Sequence, residues 1–154
     1  IDVPATHNAT SAVIAEIAVA HPAPVTVVCL VERHELAARY PGYVDWLDTA
    51  VRSEAIWWPI HDLHAPRYEQ VLVLVDELVE RLGDRAALLV QCGAGIGRAG
   101  TIAACVMLRL GMPEPMVASA LAAARPGAGP EVGAQRELVE RFVSGCMSGP
   151  DREL

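Results

Sequence analysis

The sequence predicts a single α/β domain with a mostly parallel central sheet flanked by helices. Three observations lead there. Short β-branched runs alternate with segments of helical period along the chain. A length of 154 residues and a hydrophobic content of 53% suit one domain spanning residues 1–154 with its own core, and no repeat or linker divides it. Residues 86–110 read as strand, glycine-rich loop and helix, the unit with which parallel sheets hold ligands at the carboxyl ends of their strands.

The elements follow in order. Residues 10–20 (TSAVIAEIAVA) are expected to form a helix capped by Thr10 or Ser11, and Pro22 and Pro24 break the chain after it. The β-branched run VTVVCLV (25–31) is expected as a buried strand. A short helix over 32–40 ends at Pro41-Gly42, and 43–51 is a further helix. EAIWWPI (54–60) gives a second strand, cut by Pro59. Residues 67–82 have helical spacing, with Gly83 as the stop. AALLVQ (86–91) is the third strand, and the helix after the glycine-rich loop covers 101–110. Two more helices are expected over 113–124 and 131–144, separated by Pro126 and Pro130.

Composition excludes several classes. A net charge of −7 argues against a nucleic-acid binder, which carries a basic stripe to neutralise phosphates. No apolar run reaches the roughly 20 residues that span a bilayer, so no membrane association is expected. The N-terminus lacks a basic region followed by an apolar stretch, so no signal peptide is expected, although Ile1 in place of Met is consistent with residues missing ahead of it. Cys29, Cys92, Cys105 and Cys146 have no C-x-x-C spacing, which fits neither a disulfide scaffold nor a zinc site and points to a reducing, cytoplasmic setting.

The chemistry concentrates in Gln91-Cys92-Gly93-Ala94-Gly95-Ile96-Gly97-Arg98-Ala99-Gly100-Thr101. Glycines at alternate positions open backbone conformations closed to other residues, so successive N–H groups can converge on an anion. The helix that follows adds the positive end of its dipole. A cysteine at the floor of such a nest has a stabilised thiolate and becomes a nucleophile. Arg98 lies six positions on, so a curled loop brings its planar fork back over Cys92 to meet two oxygens of a tetrahedral anion. Gly93, Ala94, Gly95, Ile96, Gly97 and Arg98 are therefore the expected phosphate-binding segment, and the combination reads as phosphoryl transfer to sulfur. Two other readings compete. A dinucleotide fingerprint would need a third glycine where Arg98 stands. A small buried Cys92 on a merely turning loop leaves Arg98 unexplained.

Phosphoryl transfer to sulfur needs a proton for the leaving oxygen. Asp62, on the loop after the second strand, is the candidate, because in a parallel sheet that loop opens on the same edge as the Cys92 loop. Without the Cys92 loop, Asp62 would read as a turn residue or helix cap. His61 and His64 have no matching cluster to hold a metal.

Pro59-Ile60-His61-Asp62 with Pro66, then Cys92 to Thr101, then Arg125-Pro126-Gly127-Ala128 and Gln135 resemble the cysteine-based protein phosphatase superfamily in its dual-specificity branch. Bacterial proteins like the kinase-associated phosphatase are particularly similar. The absence of Lys among 12 basic residues fits a GC-rich bacterial genome. The acid preceding the cysteine by 30 residues follows the order of that branch. The resemblance implies attack by Cys92, protonation by Asp62, a phosphocysteine intermediate and hydrolysis by water, with no cofactor or metal. Gln135 matches a glutamine that in relatives orients water. The implied partner is a phosphoprotein or small phosphoester. Ala94 and Ile96, where inositol-lipid phosphatases carry basic residues, disfavour an inositol-lipid headgroup, and a short chain with no recognition insert implies a shallow cleft open to phosphotyrosine and to phosphoserine or phosphothreonine.

Two departures stand out. Gln91 replaces the usual His before the Cys, and Ala99 replaces the Ser or Thr whose hydroxyl helps the thiolate leave. Gln91 can organise the loop in part as the His does, Ala99 predicts slow breakdown of the phosphoenzyme, and together they motivate an alternative, a weak or inactive phosphoprotein-binding relative. In some relatives a second cysteine protects the catalytic one through a disulfide. Cys29 stands where this reading would place it, against the simpler reading of a core cysteine.

Overall fold

The computed structural model describes residues 24–147; the helix expected over 10–20 lies outside them. Three strands, β1 (Val25–Cys29), β2 (Ala55–Trp57) and β3 (Ala87–Gln91), form a sheet in the order β2-β1-β3, and both pairings are parallel. The sheet is flanked by α1 (Arg33–Ala37), α2 (Pro41–Thr49), α3 (Tyr68–Gly83), α4 (Gly97–Arg109), α5 (Glu114–Ala124) and α6 (Gly133–Met147).

The period-2 alternation of β1 sends neighbouring side chains to opposite faces. Val28 joins the core beneath α3, α4, α5 and α6, which includes Val71, Leu78, Ile102, Leu121 and Phe142. Val27 and Cys29 join a smaller core with Leu36, Tyr43, Val44 and Leu47 of α1 and α2. Covering both faces is what a parallel sheet requires, and it explains why β1 is a nearly unbroken apolar run.

Several boundaries differ from expectation. β2 is only three residues long, and Pro59 sits where its missing N–H removes no bond to β1, on the outer side of this edge strand. The hydrogen bonding continues past it, with Trp58 N–H donating to Cys29 O at 2.8 Å and Ile60 N–H to Leu30 O at 2.9 Å. Gly83 is the last residue of α3, where the sequence predicts the stop, but the left-handed turn comes at Arg85, with φ 64°. Pro41 opens α2 instead of ending the previous helix, because its fixed φ and missing N–H suit a first helical turn. α4 begins at Gly97, four residues earlier than expected, so Arg98 belongs to its first turn.

The register places Cys29, Trp57 and Gln91 side by side at the carboxyl ends of their strands. The segments that follow, starting at Leu30, Trp58 and Cys92, therefore leave the sheet along one edge. This convergence builds the site.

Candidate active site

Cys92 leaves β3 half-buried and packs against both cores. After it the chain bends through Gly93–Ile96 and enters α4. Among the described residues, the N–H groups of Gly93, Ala94, Gly95 and Ile96 donate to no other protein group, so they are available to an anion. Gly95 has φ 69°, which favours glycine. A side chain there would also stand 3.3 Å from Nε of Arg125, whose Nη2 donates to Ala94 O at 2.6 Å and braces the loop from outside. The helix behind the loop is held by close backbone approach. A Cβ on Gly100 would run into the backbone of Gly129, while Gly129 N–H donates to Ile96 O at 3.3 Å.

Arg98 folds back as the spacing predicts. Its Nη2 lies 3.3 Å from where a Gly93 side chain would begin, and only 4% of its side chain is exposed. A guanidinium buried this far needs partners. Glu35 of α1 supplies a two-pronged one: Nη1 donates to Oε1 at 2.7 Å and Nη2 to Oε2 at 2.9 Å. Nη1 also donates to Ile60 O at 2.9 Å. Asp62 Oδ1 lies 3.3 Å from Nη2, with its side chain 63% exposed. The hydrogen bonds from Arg98 hold the Glu35 carboxyl below its usual range, and the same bonds with Glu35 raise Arg98, whose charge Asp62 and Cys92 further favour.

Glu35 has no counterpart in the sequence reading. It lies 63 residues from its partner, on a five-residue helix that looks like surface. The readable signal was Glu32-x-x-Glu35 directly after a strand: Glu32 N–H donates to Glu35 Oε1 at 3.0 Å, as acidic side chains do at a helix start, and that start faces the carboxyl edge of the sheet.

Asp62 sits on a turn over 61–64, closed by His64 N–H donating to His61 O at 3.1 Å. His61 Nδ1 lies 2.7 Å from Glu32 Oε2. Gln135 is almost wholly buried; its Oε1 accepts from Glu131 N–H at 2.8 Å and its Nε2 donates to His64 O at 3.2 Å. It thus ties the Asp62 turn to the segment ahead of α6. Cys29 is fully buried beside the strand end that carries Gln91, and burial pushes its thiol up. Beside it the Tyr43 hydroxyl is buried without a well-formed hydrogen bond, and burial raises it too. Thr101 buries its hydroxyl in α4 with no partner among the described residues.

Cys92, Arg98 and Asp62 thus meet at one edge of the sheet, around a loop of free N–H groups. Such an arrangement can hold a tetrahedral dianion between backbone donors and a guanidinium, with a thiol on one side and a carboxyl near the rim.

Solved structures share this architecture. The active form of Tk-PTP is 26% identical, with a TM-score of 0.66, over 85% of this chain and 84% of that one. A glycine-to-alanine mutant form of Tk-PTP, also 26% identical, gives a TM-score of 0.74 over 94% and 88%. A kinase associated phosphatase (KAP) with its catalytic-site cysteine changed to serine is 19% identical, with a TM-score of 0.67 over 88% and 76%, a likeness of fold. No curated protein sequence matches the chain. Residues 7–144 match the family described as "PTP-SAK: Swiss Army Knife protein, DSP-PTPase phosphatase domain", nearly the whole length, and the chain belongs to that family of phosphatase domains.

Proposed function

We propose that this phosphatase hydrolyses phosphotyrosine, with phosphoserine and phosphothreonine as further substrates, through a phosphocysteine intermediate. Cys92 thiolate attacks phosphorus from the loop floor. The bond from phosphorus to the leaving oxygen breaks as Asp62 gives that oxygen its proton. Water then attacks the phosphocysteine, Asp62 takes the proton from the water, and the sulfur–phosphorus bond breaks to release phosphate and thiolate. Gly93, Ala94, Gly95, Ile96, Gly97 and Arg98 hold the phosphoryl oxygens throughout. Gln135, almost wholly buried with its Oε1 and Nε2 both engaged, to Glu131 N–H and His64 O, keeps the Asp62 turn in place, and through that turn it would help orient the water that its counterparts in relatives orient.

The observation that carries this reading is the buried guanidinium of Arg98, folded over Gly93 with Asp62 at its edge. The absence of basic side chains at Ala94 and Ile96 supports a phosphoprotein or small phosphoester over a multiply phosphorylated inositol headgroup. The test is hydrolysis of p-nitrophenyl phosphate and of a phosphotyrosine peptide, with vanadate as inhibitor. Cys92→Ser is expected to abolish turnover while retaining peptide binding; turnover that survives the change rejects the mechanism. Gln91 and Ala99 favour one second reading, a phosphoprotein-binding domain without turnover, which predicts that the unaltered protein binds the peptide and releases no phosphate.

A further inference from the structure

The proposed reaction depends closely on where the Asp62 carboxyl sits, yet that side chain projects into solvent and meets Arg98 only at 3.3 Å. Its placement comes from the turn that carries it. Leu63 inside this turn adopts φ 56°, a left-handed conformation that a leucine resists, so outside contacts must hold it. His64 Nδ1 meets Asp62 O at 2.8 Å, and the His61 and His64 rings stand edge to face with centroids 4.5 Å apart. At the downstream end Gln135 holds His64 O. At the upstream end His61 Nδ1 approaches Glu32 Oε2 at 2.7 Å.

The upstream contact closes a ring. Glu32 N–H donates to Glu35 Oε1, Glu35 holds both terminal nitrogens of Arg98, and Arg98 Nη1 donates to the carbonyl of Ile60, the residue before His61. Asp62 is attached one residue beyond that ring. Glu35 thus fixes the anion-binding arginine and Glu32 the start of the acid-bearing turn, and the Glu32 N–H ties the two together. His34, with Nδ1 3.9 Å from Glu32 Oε2, is a more distant neighbour of the same carboxylate.

We propose that Glu32 and His61 are positioning residues for the general acid: their contact sets the distance between Asp62 and the leaving oxygen of a phosphoryl group held by Arg98. The inference rests on the phosphatase reading above. It has a signature that general loosening of the fold lacks. Protonation matters greatly when the leaving oxygen is strongly basic, as in phenyl phosphate, and little when it is a good leaving group, as in p-nitrophenyl phosphate.

The experiment measures kcat/KM on both substrates, because that ratio reports transfer to sulfur even where breakdown of the phosphoenzyme limits kcat, with vanadate inhibition as a measure of the anion site. His61→Ala is expected to lower kcat/KM on phenyl phosphate about tenfold or more, because small misplacements of a catalytic group are costly, and kcat/KM on p-nitrophenyl phosphate less than about twofold. Vanadate inhibition is expected to stay level. His61→Asn, whose amide N–H replaces the Nδ1 donor, is expected to recover most of the loss, and Glu32→Ala to reproduce the His61→Ala pattern from the other side of the contact. Equal losses on both substrates, no loss on phenyl phosphate, or no recovery with Asn overturn the positioning role while leaving the phosphatase reading intact. Hydrolysis of neither substrate by the unaltered protein overturns that reading and this inference together.

Discussion

Glu35→Gln tests how Arg98 is held. The substitution keeps the size of the side chain and one acceptor oxygen, but puts an N–H where a carboxylate oxygen received the guanidinium. Arg98 loses one of its two charge-assisted bonds to position 35 and the negative charge opposite it; the Ile60 carbonyl and Asp62 remain. Breaking a fully buried ion pair costs about 3–5 kcal/mol, and a hydrogen bond to a charged group contributes about 1.5–3 kcal/mol. With Arg98 4% exposed but Glu35 25% exposed, we expect the lower part of that span, about 2–3 kcal/mol. For a domain of this size that lowers Tm by roughly 5–10 °C.

The pH dependence has a definite sign. The Glu35 carboxyl titrates below its ordinary value of 4.5 in the folded protein, so its stabilisation is fully present above that value and is lost as pH falls through the folded one. The stability gap between the unaltered protein and Glu35→Gln should therefore narrow as the solution is acidified below about pH 4. Thermal unfolding across pH 3–7 measures the gap, and kinetics on two aryl phosphates should show kcat/KM falling by a similar factor on both, about tenfold or more, because the anion clamp rather than proton delivery is disturbed. An unchanged Tm at neutral pH, or a gap that widens in acid, would refute the claim that Glu35 carries the guanidinium.

Gly100→Ala should destabilise the domain by about 2 kcal/mol in chemical denaturation, because its new methyl meets the backbone of Gly129 and no flexible side chain can swing aside; an unchanged midpoint would contradict that close approach. On the proposed mechanism, Ala99→Ser supplies the hydroxyl that the resemblance expects after the arginine, and rapid-mixing kinetics should show the breakdown of the phosphoenzyme quickening; an unaltered burst and steady state would mean that the missing hydroxyl does not limit turnover.

The sheet and the anion loop were legible because their signals are local. The β-branched run at 25–31 fixes β1, and the glycine spacing after Cys92 fixes a loop between strand and helix. Boundaries were less legible where backbone rules compete. Pro41 is as good a helix opener as a terminator, and Gly83 ends α3 although Arg85 takes the left-handed turn. The partners of the site residues were the least legible. Glu35 and Gln135 act across 63 and 71 residues of chain; Glu32-x-x-Glu35 marks a helix start, but nothing around RHELA or AQRE names Arg98 or His64 as the partner. Only the meeting of three strand ends at one level brings them together.

The carboxylate at the edge of Arg98 bears on how the proposed site would empty itself. A guanidinium has five N–H donors, and three are already given: two from Nη1 to Glu35 and Ile60, and one from Nη2 to Glu35, while the Asp62 carboxylate stands 3.3 Å from Nη2 as an ion pair. On the proposed mechanism an arriving phosphoryl oxygen shares Nη2 with the Asp62 carboxylate beside it. If the loop holds phosphate after turnover as proposed, the same carboxylate competes for the guanidinium, so the protein would supply its own rival to the product.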